Sequence, residues 1–313
     1  MKRPAVTAVL LFIVSGLLQG AASLSEAAPL TVAQIKRDDQ AHNNQLPRAV
    51  SFREVRERGL LVKVWVNQAG PYTFAIDTGA GITLIGRRAA ADAQTDRAGG
   101  SVALGGLSGV ANSKGRTTII RALAIGDPEN ALPANQKAII IDNLPDGVDG
   151  VLDPAEAYFP FGFSIDLPNH ELAAFDPKLN PLRARNPPEG GTVVRWLSNG
   201  AGRRPFVRLS DGRLALLDTG SGFGLAISES SGNANLREHR SEVRDIGGGE
   251  VTSKRVQPQT VSIGDMTLRA VPTDILYGVE KGAPILLGRD ALYPFRLTFD
   301  PLQRLIEIAP MLR

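Results

Sequence analysis

Two short stretches carry the residues whose types and spacing do chemistry. Asp77-Thr78-Gly79 interrupts the apolar run FAIDTGAGITLIG, and Asp218-Thr219-Gly220 interrupts LALLDTGSGFGLAIS, 141 residues further on. A carboxylate that enters a glycine turn at the tip of a strand is placed by a stiff element, and the glycine lets the backbone bend and approach a neighbour closely. One such turn offers one carboxylate. Two turns brought face to face about a pseudo-twofold axis offer a pair, and carboxylates about 3 Å apart cannot both ionise, so they share a proton. One member then serves as base towards a water while the other donates a proton to a carbonyl. Thr78 and Thr219 stand where their hydroxyls would reach across the axis and lock the turns.

The elements around these triplets repeat in the same order. Leu104-Gly105-Gly106 answers to Ile246-Gly247-Gly248, and Ile125-Gly126-Asp127 to Ile263-Gly264-Asp265. GVLDPAEAYFPF from Gly150 answers to PILLGRDALYPF from Pro284, and each is followed by an aspartate on a closing strand, Asp166 and Asp300. At average composition an Asp-Thr-Gly triplet arises about once per 5,000 positions, so chance is a poor account of two in register with other landmarks. Between them the chain reads as strands. The run Leu61-Val62-Lys63-Val64-Trp65-Val66 alternates, and 33 glycines and 21 prolines favour turns over helical bundles. Short helices are expected only near 87–94, 153–159 and 289–292. The expectation is an all-β, two-lobed protein in which each lobe is a closed, barrel-like unit with one Asp-Thr-Gly turn and one flap hairpin.

The organisation follows from composition shifts. Lys2 and Arg3 precede an apolar run from Ala5 to Leu18 and small residues at 20–23, which reads as an export signal over residues 1–23. The run is short for a span of roughly 20 apolar residues, and retention as an uncleaved anchor is the alternative. Residues 24–48 are an arm or propeptide, 49–176 the N-terminal lobe, 177–192 a Pro- and Gly-rich linker, and 193–313 the C-terminal lobe. A periplasmic or secreted location follows from the leader.

Other chemistries are excluded or weak. There is no Cys, and three scattered histidines make no zinc-ligand spacing. The net charge is only +3, and two of those charges lie in the leader, so nucleic-acid binding has no basic stripe to rest on. GAGITL after Asp77 has Leu84 where a dinucleotide loop needs glycine, and an aspartate before it would repel a pyrophosphate. GLSGV fails as a nucleophile elbow at Val110.

With those residues in hand, the chain resembles the aspartic proteases: retropepsin-like units arranged in one chain as in the two-lobed pepsins. Asp77-Thr78-Gly79-Ala80 and Asp218-Thr219-Gly220-Ser221 resemble the family's active-site motif, and Leu287-Gly288-Arg289-Asp290 resembles the segment supporting each active-site loop. LGGLSG, with Gly105 and Gly106, resembles the flap that closes over substrate, and IGGGEV, with Gly247 and Gly248, would be a second flap. The resemblance implies an endopeptidase with Asp77 and Asp218 catalytic, no cofactor or metal, an extended peptide substrate and a monomeric chain. It also exposes a departure. The first support segment reads Val151-Leu152-Asp153-Pro154, with Asp153 where glycine is expected. Either Asp153 is solvated or paired, or the first lobe is distorted; in the latter case the chain is a peptide-binding module of the same fold. A hydroxyl beside the second aspartate, on Ser221, is expected to make Asp218 the more acidic partner.

Overall fold

The computed structural model describes residues 46–111, 113–199, 202–229, 241–244 and 249–311. The leader, most of the arm, Gly247 and Gly248 lie outside the described residues. The apolar alternation does what it should: in Gly59–Val66, Val62, Val64 and Val66 turn inward while Lys63 faces solvent. Strands entering an active-site turn are instead apolar on both faces. Leu214–Asp218 is buried from Ala215 onward because it runs inside a sheet with layers on either side.

Among the described residues the strands form three sheets. The first-lobe sheet runs Arg53–Val55, Gly59–Val66, Ala69–Ile76, Gly150–Leu152, Thr83–Gly86, Gln136–Ile141, Ser113–Ile120 and Asp96–Leu104, with Leu123–Ile125 paired off Gly59–Val66. The second-lobe sheet runs Phe206–Arg208, Leu214–Asp218, Ile285–Gly288, Leu225–Ser228, Met266–Tyr277, Glu250–Ile263 and Ser241–Arg244. The order is matched in sense as well as position. Each Asp-bearing strand lies parallel to its support strand, Ala69–Ile76 to Gly150–Leu152 and Leu214–Asp218 to Ile285–Gly288. Each support strand is in turn antiparallel to the strand after the turn. Threading one strand between the two arms of the Asp-Thr-Gly loop fixes that loop from both sides.

Closed barrels do not form, which corrects the barrel-like expectation. Both lobe sheets are open, and the closing strands of the two halves are used in a third sheet of six strands: Val50–Ser51, Glu171–Phe175, Gly162–Asp166, Phe295–Asp300, Leu305–Pro310 and Thr192–Arg195. Its centre pairs those closing strands, Phe163 opposite Phe299 and Ile165 opposite Leu297. The rings of Phe163 and Phe299 stack at 4.5 Å, and one continuous core runs from Val50 to Ile308 through this sheet. Strands left with free edges bury them by pairing with each other rather than by curling up. Asp166 and Asp300 prove to be turn caps at the ends of those strands; Asp300 accepts from the backbone of Leu302 and Gln303 at 2.9 and 2.8 Å.

Among the described residues, short helices fall at Arg87–Asp92, Pro154–Ala157 and Arg289–Leu292. The two that follow support strands begin directly below the active-site loops.

Candidate active site

The two Asp-Thr-Gly turns meet at the interface of the lobes, and the threonines hold them there. Thr78 N–H donates to Thr219 Oγ1 at 3.1 Å, and Thr219 N–H donates to Thr78 Oγ1 at 3.0 Å. Each hydroxyl then donates onward to the strand beneath the opposite turn, Thr78 to Leu217 O at 2.6 Å and Thr219 to Ile76 O at 3.3 Å. Four buried hydrogen bonds across an approximate twofold leave neither turn able to move alone.

The glycines make the close approach possible. A Cβ on Gly79 would sit 2.8 Å from Asp218 Cγ, and one on Gly220 would sit 2.4 Å from Asp77 Cγ. Each carboxyl group thus lies over the other turn's glycine. Both aspartates are fully buried. Asp77 Oδ1 accepts from Gly79 N–H at 2.7 Å, and Asp218 Oδ1 accepts from Ser221 N–H at 3.1 Å. The Oδ2 atoms of both receive no donor from the rest of the protein, which is the arrangement that one proton held between the two carboxyls would serve.

Burial, and then the charge of Asp218, hold the Asp77 carboxyl well above the usual carboxylate range; the Gly79 N–H pulls weakly the other way. Burial raises Asp218 as well, but a bond from Asp77, the Ser221 N–H and the charge of Arg289 restrain the rise. Asp77 is therefore the member that keeps the proton and Asp218 the first to ionise. The hydroxyl expected to produce this asymmetry is not the agent. Ser221 Oγ accepts from Phe223 N–H at 3.2 Å, and the donor to Asp218 is the Ser221 backbone.

The support segments differ in how they hold the loops. In the second lobe Gly288 pairs with Asp218, and the Arg289 guanidinium tucks under the turn, donating from Nη1 to Thr219 O at 2.7 Å and Gly220 O at 3.1 Å. Its Nε donates to Glu54 Oε1 at 3.2 Å, from the first lobe. In the first lobe Asp153 takes the position of Gly288, and it is neither solvated nor a source of distortion. Val151 and Leu152 keep register with Ala75 and Ile76, and Asp77 N–H reaches Leu152 O at 3.0 Å. Asp153 caps the helix Pro154–Ala157 by accepting from Ala155 N–H at 2.9 Å, and proline at the first helical position suits that start. Burial, with the charge of Glu156, pushes Asp153 up to about 8, so it is a neutral acid below that pH.

Gly105 and Gly106 lie at the tip of a hairpin made by Asp96–Leu104 and Ser113–Ile120, with Leu104 opposite Ser113. The tip is not loose. Leu107 is buried among Phe206, Leu216, Phe223 and Val251 of the second lobe, and its carbonyl accepts from Glu280 N–H at 2.7 Å. Among residues near the second flap candidate, Gly249 packs against Ser108 so closely that a Cβ there would meet its Oγ. The hairpin tip of the first lobe is thus seated on the second lobe.

Sequence reasoning missed Arg204. It is 7 % exposed, and its Cγ, Cδ and Nε pack on Gly81 in the first active-site turn, 3.3 Å from where a Cβ would lie. No local pattern marks it, because its burial comes from the other lobe. Glu54 was likewise one polar residue of an alternating strand. Among the described residues no group of three or more His, Asp or Glu is placed to hold a metal ion.

Two buried carboxyl groups thus face each other on mutually locked glycine turns. Residues 62–152, which hold the first turn, its flap and its support strand, match the family described as aspartyl protease. A search of curated proteins finds no match.

Proposed function

We propose that the protein is an exported aspartic endopeptidase in which one chain supplies both halves of the site, as a monomer. The observation that carries this reading is the reciprocal threonine lock, which brings Asp77 and Asp218 together as a pair and serves no evident purpose for two turn aspartates merely facing solvent. Asp218, ionised, takes a proton from water as its oxygen attacks the peptide carbonyl carbon; Asp77 gives its proton to the carbonyl oxygen. The tetrahedral diol then collapses. A proton passes to the amide nitrogen, the C–N bond breaks, and the dyad returns with one proton. The Gly105–Gly106 hairpin and the strand edges beside the cleft offer an extended peptide backbone hydrogen-bonding partners of strand type. The leader over residues 1–23 supports a periplasmic or secreted location.

A second reading, a peptide-binding module of the same fold, draws support from the full burial of both dyad carboxyls. Asp153 no longer favours it, since the first lobe keeps its register. The test is cleavage of a mixed peptide library, from acid to neutral pH, by the protein without its leader, beside folded Asp77→Asn and Asp218→Asn. Loss of about a thousandfold or more in rate is expected for each variant. Intact peptides at every pH, from a folded wild type, would turn the assignment to the binding module.

A further inference from the structure

Each lobe carries an apolar row across its sheet, one pleat before its aspartate. In the second lobe the row is made by the cross-strand partners Phe206, Leu216, Leu286 and Ala226. Leu216 stands two residues before Asp218 on the same strand, so both side chains leave the sheet on one face. In the first lobe Leu61, Ala75, Val151, Leu84 and Ile139 stand in the same relation to Asp77.

The two rows are completed differently. Leu104, from the first lobe's own hairpin, joins the cluster that holds the first row. Three residues further on, the same hairpin crosses to the other lobe. Among the described residues, Leu107 is the only first-lobe member of the cluster that holds the second row, and it is 2 % exposed. Its carbonyl accepts from Glu280 N–H at 2.7 Å, so the second lobe receives both its side chain and its backbone.

Leu107 arrives there on a turn, outside any strand. The hairpin strands end at Leu104 and resume at Ser113. Gly106 O accepts from Gly109 N–H at 3.2 Å, and Gly109 has a φ of 70°, a conformation that glycine adopts at little cost. An apolar side chain on such a tether is held by burial in the other lobe more than by the backbone ladder of its own. Segments of this kind open locally without the rest of the fold.

We propose that Leu107 is a self-ligand: it occupies the apolar row of the second lobe in place of a peptide side chain of similar size, and a peptide residue enters only when the tip lets go. This rests on the endopeptidase reading above and adds to it a built-in competitor. The row lies about 7 Å along the strand from Asp218, within reach of a residue at or beside the bond to be cut. Tip and peptide contend for one surface, so the apparent affinity for peptide is scaled down by the fraction of molecules whose tip is released. Weakening the seat must therefore tighten peptide binding, whereas trimming an ordinary wall of a binding cleft would loosen it.

Two measurements test this. Amide exchange of Glu280, followed by NMR, reads release of the tip, because that N–H is donated to Leu107 O. In Leu107→Ala it is expected to speed about tenfold or more, and in Leu107→Met, which keeps the apolar volume, to stay within about threefold of wild type. Leu107→Val, with a smaller effect in the same direction, stands in where Leu107→Ala does not fold. Peptide affinity is then measured on Asp77→Asn, which holds peptides without cutting them, with and without Leu107→Ala. The probe is a library of capped octapeptides randomised at every position. Leu107→Ala is expected to tighten binding about tenfold, with the gain confined to peptides that carry Leu, Ile, Met or Phe.

Equal or weaker binding in Leu107→Ala makes Leu107 part of the wall and overturns the proposal. So does Glu280 exchange indifferent to the truncation. Retention of no peptide by either variant also overturns it, since an emptied row that accepts nothing is not a site. The two readings fail separately. Leu107→Ala with Asp77 intact that binds apolar peptides more tightly yet cuts none removes the endopeptidase assignment alone. Wild type and Leu107→Ala that cut the library with equal KM remove this inference alone.

Discussion

The two support segments, Leu152-Asp153-Pro154 and Leu287-Gly288-Arg289, occupy equivalent places and solve the same problem with opposite charges. In the second lobe an arginine of the support segment holds the loop by its carbonyls and meets an acid, Glu54, sent over from the first lobe. In the first lobe an acid of the support segment caps its own helix, and the arginines come over from the second lobe, Arg203 to Glu156 and Arg204 to Gly81. The difference teaches that the fold demands a filled, braced space beneath each turn and is indifferent to which lobe supplies the cation. Two identical lobes would place like beside like at this junction. Lobes of inverted charge join each to the other, a preference that rests on buried geometry rather than on the weak attraction of exposed pairs.

The comparison breaks most visibly at Arg289. Arg289→Met leaves Thr219 O and Gly220 O without their donor, and a loss of about 3 kcal/mol in urea unfolding is expected. An effect below about 1 kcal/mol would show that the second loop does not depend on its brace. The two glycines sharpen the comparison next. Gly220→Ala, with the closer approach to Asp77, is expected to cost about 2 kcal/mol by overpacking and to exceed Gly79→Ala. Equal effects, read in the same unfolding series, would mean that the turns adjust symmetrically.

The change at Asp153 is the smallest per pH unit, and its sign follows from the direction of the shift. Its folded pKa lies near 8, above the unfolded carboxyl value of about 3.9, so the folded protein holds one more proton between those values. That contribution is complete below about pH 4 and declines as pH rises towards 8, by about 1.4 kcal/mol per pH unit. Asp77, raised for the same reason, adds a slope of the same sign. Unfolding measured between those two pKa values should therefore show a gentler decline in Asp153→Asn than in wild type. Parallel curves would mean that Asp153 ionises normally in the folded protein.

Much of the site was legible in the chain. The paired triplets stand out because a carboxylate, a hydroxyl and a glycine are each needed at adjacent positions, and the glycine-rich 104–109 stretch announces a hairpin by its turn chemistry. Other parts were misread for physical reasons. The donor to Asp218 is a backbone N–H of Ser221, a group that nearly every residue carries, so only the turn geometry could select it. Asp153 looked like a defect because sequence shows a charge, whereas burial decides whether the charge exists.

The sequence by itself determined the local alphabet of this protein: strands from alternation, turns from glycine and proline, and two matched Asp-Thr-Gly corners in the same order of landmarks. Such features depend on near neighbours along the chain. Only the tertiary structure decided that the sheets stay open and share a third sheet, that Leu107 seats in the opposite lobe, and that Arg204 lies beneath the first turn. Those outcomes depend on groups far apart in the chain meeting in a space from which water is excluded, and protonation and packing are set by that space rather than by the residues beside them in the chain.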